Sequence, residues 1–400
     1  MTTGSTKRQD GFTDEAREAL LLVRHDLHQH PELAFHEERT AQKLYEALER
    51  LKPARLDRVA GTGVVARICG RDPHAPTVAL RGDIDALPIQ ENTGLPFSSR
   101  HPGIMHACGH DVHATWTLGA AQLLADQPAD GDVVILFQPA EETGKGATAM
   151  IEAGALEGVQ AVFGAHVDRR FRVGEVVADA GPLAASADTF SIELIGSGGH
   201  GARPHEGADP IVGAAAVVTA LQTIVSRLVN PATAAVVTVG TLQAGTASNI
   251  IPDRAFLTGT LRAIDPDTRR TLHDSVQTIA KAIAEAHGLT ANVEVAVGTP
   301  PIVNPEEPVG WARTAVTTLL GSDALKPLGT LNMGGEDFAF YLEEIPGCFL
   351  RVGARESGGE IIPAHNPHFY ASDECVPVGA AVLAETARVA SAALRGRRNR

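Results

Sequence analysis

The 400-residue chain has little positive charge, few aromatic side chains and few cysteines. It carries 34 Lys and Arg against 48 Asp and Glu, a formal net charge of −14, without a basic stripe, so we expect no nucleic-acid partner. It has no run of about 18 apolar residues, so we expect neither a membrane-spanning helix nor a membrane partner. The polar N-terminus lacks the apolar stretch of a secretory signal. These features favour an ordinary soluble globular protein.

The four cysteines are Cys69, Cys108, Cys348 and Cys375. Their wide spacing does not suggest a disulfide framework, so we expect reduced thiols and a cytoplasmic location. Hydrophobic residues make up 44% of the chain and aromatic residues 4%, while Ala, Val and Gly are plentiful. This composition suits α/β packing, and the length predicts two domains.

Strand and helix patterns alternate through the first half of the chain. Residues 132–137 (DVVILF) form an apolar run bounded by turn residues, which predicts a buried central strand. Asp111 is a candidate N-cap of the helix that follows it. The other predicted elements are helices at 13–30, 37–51 and 111–125, with strands at 63–68 and 77–80. The alternation predicts an α/β fold with a mixed, largely parallel central sheet flanked by helices.

The pattern changes near residue 184. The predicted elements there follow the order β-α-β-β-α-β, at residues 188–196, 209–229, 234–242, 254–262, 265–287 and 290–297. This is the ferredoxin-like arrangement. We therefore predict an inserted α+β domain over residues 184–297, within a first domain formed by residues 1–183 and 298–400.

The segment MHACGHD at residues 105–111 offers two metal-binding groups close together. In an extended segment Cys108 and His110 would point to the same side, and Gly109 permits a tight turn between them. Taken alone, the pair could equally be a buried free cysteine and a helix-capping histidine. We interpret the neighbouring His106 and His113 as structural residues or as supports for the metal-binding groups.

Acidic and imidazole side chains follow other predicted strands. Glu141 and Glu142 come after the strand at 132–137, at the end of the strand where α/β sheets bind ligands. Adjacent side chains diverge, so one can bind metal while the other faces a substrate; a solvated acidic turn is the alternative. His166 follows an apolar strand, and His365 lies in a later Pro-containing loop. Taken alone, each could also be an ordinary surface or core histidine.

Asp83 and Asp85 follow the strand at 77–80 and could orient metal ligands or a catalytic carboxylate. Four strand-to-loop junctions of one α/β unit thus carry Cys, His, Asp or Glu. Their joint placement predicts a two-metal hydrolytic site with a free carboxylate near the metal ions.

The chain resembles the M20 family of metallopeptidases, and within it the amidohydrolase branch of hippurate hydrolases, N-acyl-amino-acid amidohydrolases and auxin-conjugate (IAA-amino acid) hydrolases. The resemblance runs from about residue 20 to 390. It rests on the ordered segments HPEL (30–33), RGDIDALP (81–88), MHACGHD (105–111), QPAEE (138–142), GAH (164–166), GHGARPH (199–205), SNIIP (248–252), GGEDF (334–338) and HNP (365–367).

The resemblance implies a role for each matching residue. Cys108 matches a ligand that can bridge two divalent ions (Zn²⁺, Mn²⁺, Co²⁺ or Ni²⁺). His110 and His166 would complete one metal, whereas Glu142 and His365 would complete the other. Glu141 matches the general base, and Asp85 matches the carboxylate behind the metal centre.

The inserted domain matches the family's lid and dimerisation domain. This implies a homodimer, or a dimer of dimers. His200 matches a histidine that stabilises the oxyanion, often from the partner subunit, and Asn249 and Arg262 match positions near the substrate's carboxylate or oxyanion. Ala364 replaces the branch's usual leucine before HNP, which affects the lining of the pocket and therefore substrate preference.

The resulting expectation is hydrolysis of small N-acyl or N-aroyl amino acids by a metal-activated water, with Glu141 as the base. Three alternatives stay open. These are a dipeptidase or carboxypeptidase of the same family, a catalytically silent metal-binding homologue, and a carbamoyl or allantoate-type amidohydrolase, whose branch normally lacks Cys108.

Overall fold

The computed structural model describes residue 8 and residues 10–398. The α-helices of this part are α1 Asp14–Gln29, α2 Glu38–Glu49, α3 His110–Asp126, α4 Gly146–Glu152, α5 Pro210–Thr223, α6 Pro266–Ala286, α7 Glu306–Leu320, α8 Phe338–Glu344 and α9 Cys375–Arg398. Short 3-10 helices cover Glu141–Thr143, Pro204–Glu206 and Ser322–Ala324, and a π-helical turn, Ile224–Leu228, continues α5.

The strands are β1 Arg55–Val59, β2 Gly63–Ile68, β3 Thr77–Asp83, β4 Val133–Gln138, β5 Val159–Arg172, β6 Val176–Val177, β7 Gly181–Ala184, β8 Ala187–Ile195, β9 Gly199–His200, β10 Ala235–Ala244, β11 Ile250–Ile251, β12 Arg254–Ala263, β13 Thr290–Thr299, β14 Ile302–Asn304 and β15 Gly347–Arg355. The chain divides into two compact units. The first comprises Met1–Gly181, Asn304–Thr330 and Phe340–Arg400, and the second comprises Pro182–Val303 and Leu331–Ala339.

The first unit is built on a seven-stranded sheet in the order β1-β2-β4-β3-β5-β15-β6. The central strands β4, β3, β5 and β15 run parallel. The flanking strands pair antiparallel, so the description "largely parallel" fits the centre of the sheet. The predicted α/β fold with a mixed sheet flanked by helices is confirmed.

Burial follows the apolar pattern of the first unit. All six residues of β4 are buried, as predicted for a central strand. Phe137 and Phe163 are fully buried in the core that α3 and α9 cover, together with Trp116. Burying each of these aromatic side chains contributes on the order of 2 kcal/mol. The parallel strands, which carry the site described below, therefore lie in the buried core of the unit.

The start of α3 differs from the sequence prediction. Its N-cap is Gly109, and Asp111 lies inside the first turn instead of capping it. The Asp111 carboxylate accepts a hydrogen bond from Arg24 Nε at 3.1 Å and lies 3.0 Å from His28 Nδ1, with all three side chains buried. Because a buried ion pair uses this carboxylate, it is not available to the helix terminus.

The second unit contains a four-stranded antiparallel sheet in the order β10-β12-β8-β13. The element order β-α-β-β-α-β agrees with the predicted ferredoxin-like arrangement. Helices α5 and α6 begin at the side-chain N-caps Asp209 and Asp265, each followed by a proline. Both helices pack apolar residues into the core formed with the sheet.

Two helical segments, Pro210–Leu228 and Cys375–Arg397, are long and apolar enough to cross a membrane by length and composition. Both contain polar residues within the apolar stretch, so neither is an uninterrupted run of about 18 apolar residues. In the C-terminal segment 72% of the apolar window is buried inside the protein, as in the core helix of a globular protein. In Pro210–Leu228 the buried share is 28%, so this helix keeps an exposed apolar face.

Candidate active site

The parallel strands bring the predicted side chains to one edge of the first unit's sheet. β3 ends at Asp83 just before Asp85, and β4 ends at Gln138 just before Glu141 and Glu142. β5 continues past its pairing of Gly164 with Arg81, and it carries His166 beyond that point. The loop that follows β15 carries His365. All these groups lie at the carboxyl ends of the parallel strands, where α/β folds bind ligands.

Cys108 and His110 converge by a different route from the extended segment considered for them. Gly109 adopts φ +86° in the left-handed region, and α3 begins directly at His110. A Cβ at this glycine would lie 2.5 Å from Val167 Cγ2, so both the backbone angle and the available space favour glycine. The left-handed turn therefore directs the thiol and the imidazole to the same side.

The five predicted metal ligands form two groups that share one sulfur atom. Cys108, His110 and His166 place one ligand atom each within 4.8 Å of one another, and Cys108, Glu142 and His365 do the same. The Cys108 Sγ atom lies 3.2 Å from His166 Nε2, and Glu142 Oε1 lies 3.2 Å from His365 Nε2. This arrangement is what a thiolate between two metal ions requires.

Hydrogen bonds orient these ligands from behind. His166 Nδ1 lies 2.7 Å from the Val167 carbonyl oxygen, so this nitrogen carries the proton and Nε2 presents its lone pair. His110 Nδ1 lies 2.9 Å from the Asp85 carbonyl oxygen and 3.1 Å from Asp85 Oδ1. Asp85 Oδ2 accepts from the Glu142 backbone N–H at 3.0 Å. Asp85 thus supports one ligand of each group, as expected for the carboxylate behind a metal centre.

The unsatisfied atoms of the cluster fit divalent cations. His110 Nε2 is buried and has no partner of hydrogen-bond geometry among the described residues, and Glu142 Oε1, also buried, lies 3.2 Å from His365 Nε2 and 3.9 Å from His110 Nε2. Burial raises the pKa of the Cys108 thiol to about 12, with the Glu142 carboxylate adding to the effect. A bound cation would reverse this, because a coordinating thiol is deprotonated outright. Thiolate, imidazole and carboxylate donors suit transition metals such as Zn²⁺.

The two histidines in the group with Cys108, His110 and His166, have pKa values shifted in opposite directions. Burial lowers the pKa of His166 well below its ordinary value, so the imidazole is neutral, as a ligand must be. Burial also opposes charge on His110. There, however, the Asp83 carboxylate, 3.7 Å from Nε2, and the hydrogen bond to Asp85 raise the pKa well above its ordinary value. A metal ion at Nε2 would replace the proton that this acidic surrounding favours.

Glu141 lies beside the metal-binding groups without belonging to either group that contains Cys108. Its side chain is mostly buried, and Oε2 lies 3.9 Å from His110 Nε2. Ala140 precedes it in the left-handed region at φ +55°, and Glu141 begins a 3-10 helix. Instead of diverging, as expected of adjacent residues from the sequence, the Glu141 and Glu142 carboxylates both approach His110, because Glu142 Oε1 also lies 3.9 Å from His110 Nε2. The two residues differ in that only Glu142 also groups with Cys108 and His365.

Two residues assigned to supporting roles, His113 and Asp83, are hydrogen-bonded within the protein. His113 Nδ1 lies 2.7 Å from Asp83 Oδ1, and His113 Nε2 accepts from the Val167 N–H at 2.9 Å. Asp83 also accepts from Arg81 Nη1 at 2.6 Å. His106 is fully buried, and burial lowers its pKa to about 3, so it stays neutral. These contacts place His113 and Asp83 directly behind the metal-binding residues.

Glu37 holds the turn before Glu141, and the sequence pattern did not indicate it. Glu37 is fully buried; Oε1 accepts from the Ala140 N–H at 2.9 Å, and Oε2 accepts from the Thr62 hydroxyl at 2.5 Å. Its side chain makes no capping bond although it is the N-cap residue of α2. A glutamate at the start of a helix is ordinary in sequence, and only its burial reveals the link between α2 and the left-handed Ala140.

We predict that Glu37→Ala lowers the free energy of unfolding by about 1–3 kcal/mol, because it leaves the Ala140 N–H and the Thr62 hydroxyl buried without an acceptor. It also lowers kcat, because the turn that presents Glu141 loses its anchor. Urea unfolding and turnover measure the two effects. The control is Glu38→Ala, whose side chain is 77% exposed. Equal stability of the two variants would contradict this role of Glu37.

The remaining predicted residues, His200, Asn249 and Arg262, lie in the second unit. His200 pairs with Ile250 in the ribbon of β9 and β11, and the Gly201 N–H donates to the Asn249 carbonyl at 2.8 Å, so His200 and Asn249 are neighbours. His200 is exposed and its Nδ1 accepts from the Ala202 N–H at 3.0 Å, which leaves the proton on Nε2. Arg262 lies on the four-stranded sheet, opposite Val236.

The chain is also similar in sequence to known proteins. Residues 79–389 match the model of Peptidase family M20/M25/M40. The chain is 44% identical over 340 residues to an N-acetyl-L-cysteine deacetylase of Bacillus subtilis, covering 84% of this chain and 80% of the relative. It is 42% identical over 310 residues to an N-acyl-L-amino acid amidohydrolase of Geobacillus stearothermophilus, covering 77% and 83%.

A solved structure shows the same architecture. The YXEP protein of Bacillus subtilis, a dinuclear metal binding peptidase from the M20 family, superposes with a TM-score of 0.84 at 36% identity, covering 94% of this chain and 99% of that one. The match extends over nearly the whole of both chains, so it includes both compact units.

Proposed function

The chain belongs to Peptidase family M20/M25/M40, and from this premise we propose that it is a metal-dependent amidohydrolase of N-acyl amino acids. It would release a carboxylic acid and a free amino acid. Relatives that are 42% and 44% identical are named as an N-acyl-L-amino acid amidohydrolase and an N-acetyl-L-cysteine deacetylase, which supports this reaction.

One observation supports the proposal most strongly. The Cys108 sulfur belongs to two ligand groups, and Glu141 lies beside them, within 4.8 Å of His110 from one group and Glu142 from the other, as an additional carboxylate. A site that only stores or senses metal needs no carboxylate beside the ligands. The geometry therefore favours hydrolysis over a catalytically silent metal-binding protein.

Bound divalent ions would supply Lewis acidity to the scissile carbonyl and to the attacking water. Glu141 accepts the proton of that water and then delivers a proton to the leaving amine. Asp85 keeps His110 in one tautomer and fixes the Glu142 backbone, so the ligands hold their geometry as charge shifts during the reaction.

We assign the remaining roles to the second unit. His200 carries its proton on Nε2, so it can donate a hydrogen bond to the oxyanion of the tetrahedral intermediate. Asn249 and Arg262 offer an amide and a guanidinium for the substrate's free carboxylate. His200 acts either on its own subunit or across a dimer. A mixture of a His200 variant and a Glu141 variant should recover activity only if His200 acts across the dimer.

Substrate class is tested with a panel of N-acetyl, N-benzoyl and indole-acyl amino acids assayed with Zn²⁺, Mn²⁺, Co²⁺ or Ni²⁺. We expect hydrolysis of at least one N-acyl amino acid. Dipeptides belong in the panel, since a Saccharolobus solfataricus relative that is 36% identical is named as a carboxypeptidase. Faster hydrolysis of dipeptides than of every N-acyl compound would favour the peptidase alternative, and no hydrolysis with metal bound would contradict the proposal.

We also propose that two copies associate through the second unit. The segment Pro210–Leu228 exposes Ile211, Val212 and Leu228, which are 42%, 53% and 55% accessible. β10 is an edge strand of the four-stranded sheet and exposes Leu242. An apolar helix face beside an open strand edge suits a symmetric partner that covers both.

We predict that Val212→Asp weakens dimerisation by at least about 100-fold, since it buries an unpaired charge in the interface. Light scattering coupled to size exclusion measures the mass. Leu22→Asp is the matched control, because Leu22 is an exposed leucine, 63% accessible, on α1 of the first unit. A monomeric wild-type protein, or a Leu22→Asp variant with the same loss, would contradict the proposed interface.

We further propose that the bound metal is a divalent transition metal ion and that the protein is cytoplasmic. Zn²⁺, Mn²⁺, Co²⁺ and Ni²⁺ all suit the mixed donor set. Cys69, Cys108, Cys348 and Cys375 are all unpaired thiols, and Cys108 must be reduced to bind metal. A reducing, cytoplasmic environment is consistent with both facts.

A further inference from the structure

Arg169 lies on β5, three residues after the metal-binding His166, and its guanidinium is completely buried. Nε and Nη2 donate to the Glu360 carbonyl at 3.2 and 2.8 Å. Nη1 and Nη2 also bind the Glu356 carboxylate at 3.0 and 3.2 Å. Nη1 further donates to the Tyr370 carbonyl at 3.1 Å. A buried guanidinium with this many acceptors holds its neighbours in a fixed geometry.

The partners of Arg169 lie at both ends of one segment, residues 356–370, which carries His365. Glu356 and Glu360 belong to its beginning, and Tyr370 forms its end. The Tyr370 ring stacks on the Arg169 guanidinium at 4.1 Å, and its hydroxyl donates to Glu356 Oε1 at 2.5 Å. Arg169 therefore brings the two ends of this segment together against β5.

His365 lies within this segment and has little support of its own. The residues around it have no regular secondary structure, and its backbone adopts φ +63°, in the left-handed region that a side chain disfavours. Its side chain is 53% exposed, so little packing holds it. Its N–H donates to the Ala107 carbonyl at 2.8 Å, next to Cys108. A strained, exposed ligand keeps its position only when the surrounding structure fixes the backbone.

We propose that Arg169 is a positioning residue that sets the affinity of the metal position formed by Cys108, Glu142 and His365. The position formed by Cys108, His110 and His166 does not depend on it. The inference rests on the proposed two-metal function. β5 would thereby fix one ligand of each metal, His166 directly and His365 through the Arg169 guanidinium.

The test is a metal titration of the full-length protein, first stripped of metal and then titrated with Co²⁺. For Arg169→Met we expect the first ion to bind as in the wild type and the second about 10- to 100-fold more weakly, the usual effect of losing a partner behind a ligand. The thiolate-to-cobalt absorption band should persist at one equivalent. His365→Ala should reproduce the loss at the second position, and Arg169→Lys should restore only part of the affinity.

Arg170→Met is the matched control. Arg170 is the next residue of β5, and its side chain binds Asp168 and the Thr330 carbonyl instead of residues 356–370. It should leave both affinities unchanged. If Arg169→Met does not fold, the double variant Glu356→Gln, Tyr370→Phe takes its place, since it weakens the same contacts at the surface of the segment.

The wild-type titration tests the two-metal site, and the variant titrations test the role of Arg169. A wild-type protein that binds fewer than two ions contradicts the two-metal site itself. If the wild-type protein binds two ions but Arg169→Met leaves the second affinity unchanged, or lowers both affinities equally, the proposed role of Arg169 is wrong while the two-metal site stands.

Discussion

Replacing Glu141 with glutamine is expected to lower kcat for amide hydrolysis by about 10²- to 10⁴-fold, the usual contribution of a general base. Glutamine has nearly the same shape but cannot accept the proton. Glu141 lies outside both ligand groups that contain Cys108, so both metal ions should stay bound. Turnover and the metal-to-protein ratio are measured on the same preparation.

The neighbouring carboxylates provide the controls for this result. Glu142→Gln should lower the metal content first, because Glu142 is a ligand in the group with Cys108 and His365. Glu152→Gln changes an exposed carboxylate on α4 and should alter neither quantity. A Glu141→Gln variant that keeps wild-type kcat with its metal bound would show that another group is the base.

Replacing Cys108 with alanine is expected to weaken both metal positions together, by more than about 100-fold each. Losing a partner behind a ligand already costs 10- to 100-fold, and a shared ligand should cost more. His166→Ala and His365→Ala should each affect one position, since each belongs to one of the two groups that share the cysteine. Equilibrium dialysis against buffered Zn²⁺ measures the two affinities.

Cys348→Ala is the matched control for Cys108. Cys348 is a fully buried cysteine on β15, and burial raises the pKa of its thiol well above its ordinary value. Its loss should reduce stability through a small cavity and leave the metal content unchanged. A Cys108→Ala variant that retains one tightly bound ion would contradict a bridging thiolate.

Much of the fold could be predicted from local patterns. The DVVILF run of β4 and the β-α-β-β-α-β order of the second unit are periodic and bounded by turn residues, and the structure contains both elements. Asp111 was predicted wrongly as an N-cap, because its carboxylate pairs with Arg24 and His28 on α1. The sequence gives no sign of a partner more than 80 residues away.

The site divides in the same way. The joint placement of Cys, His, Asp and Glu residues at strand-to-loop junctions was enough to predict a two-metal site, whereas the resemblance to the M20 family implied the ligand set Cys108, His110, Glu142, His166 and His365. Glu37 and Arg169 were missed because charged residues are common and usually exposed. Their importance lies in complete burial against backbone groups, which only the folded chain reveals.

The most direct test of the two-metal hydrolase is a stepwise reconstitution. Metal-free protein receives increasing Zn²⁺ or Mn²⁺, and bound metal and hydrolysis of an N-acyl amino acid are measured in the same samples. We predict no turnover without metal and maximal turnover as the second equivalent binds. Full turnover in the metal-free protein, or two bound ions with no hydrolysis of any N-acyl amino acid, would contradict the proposed function.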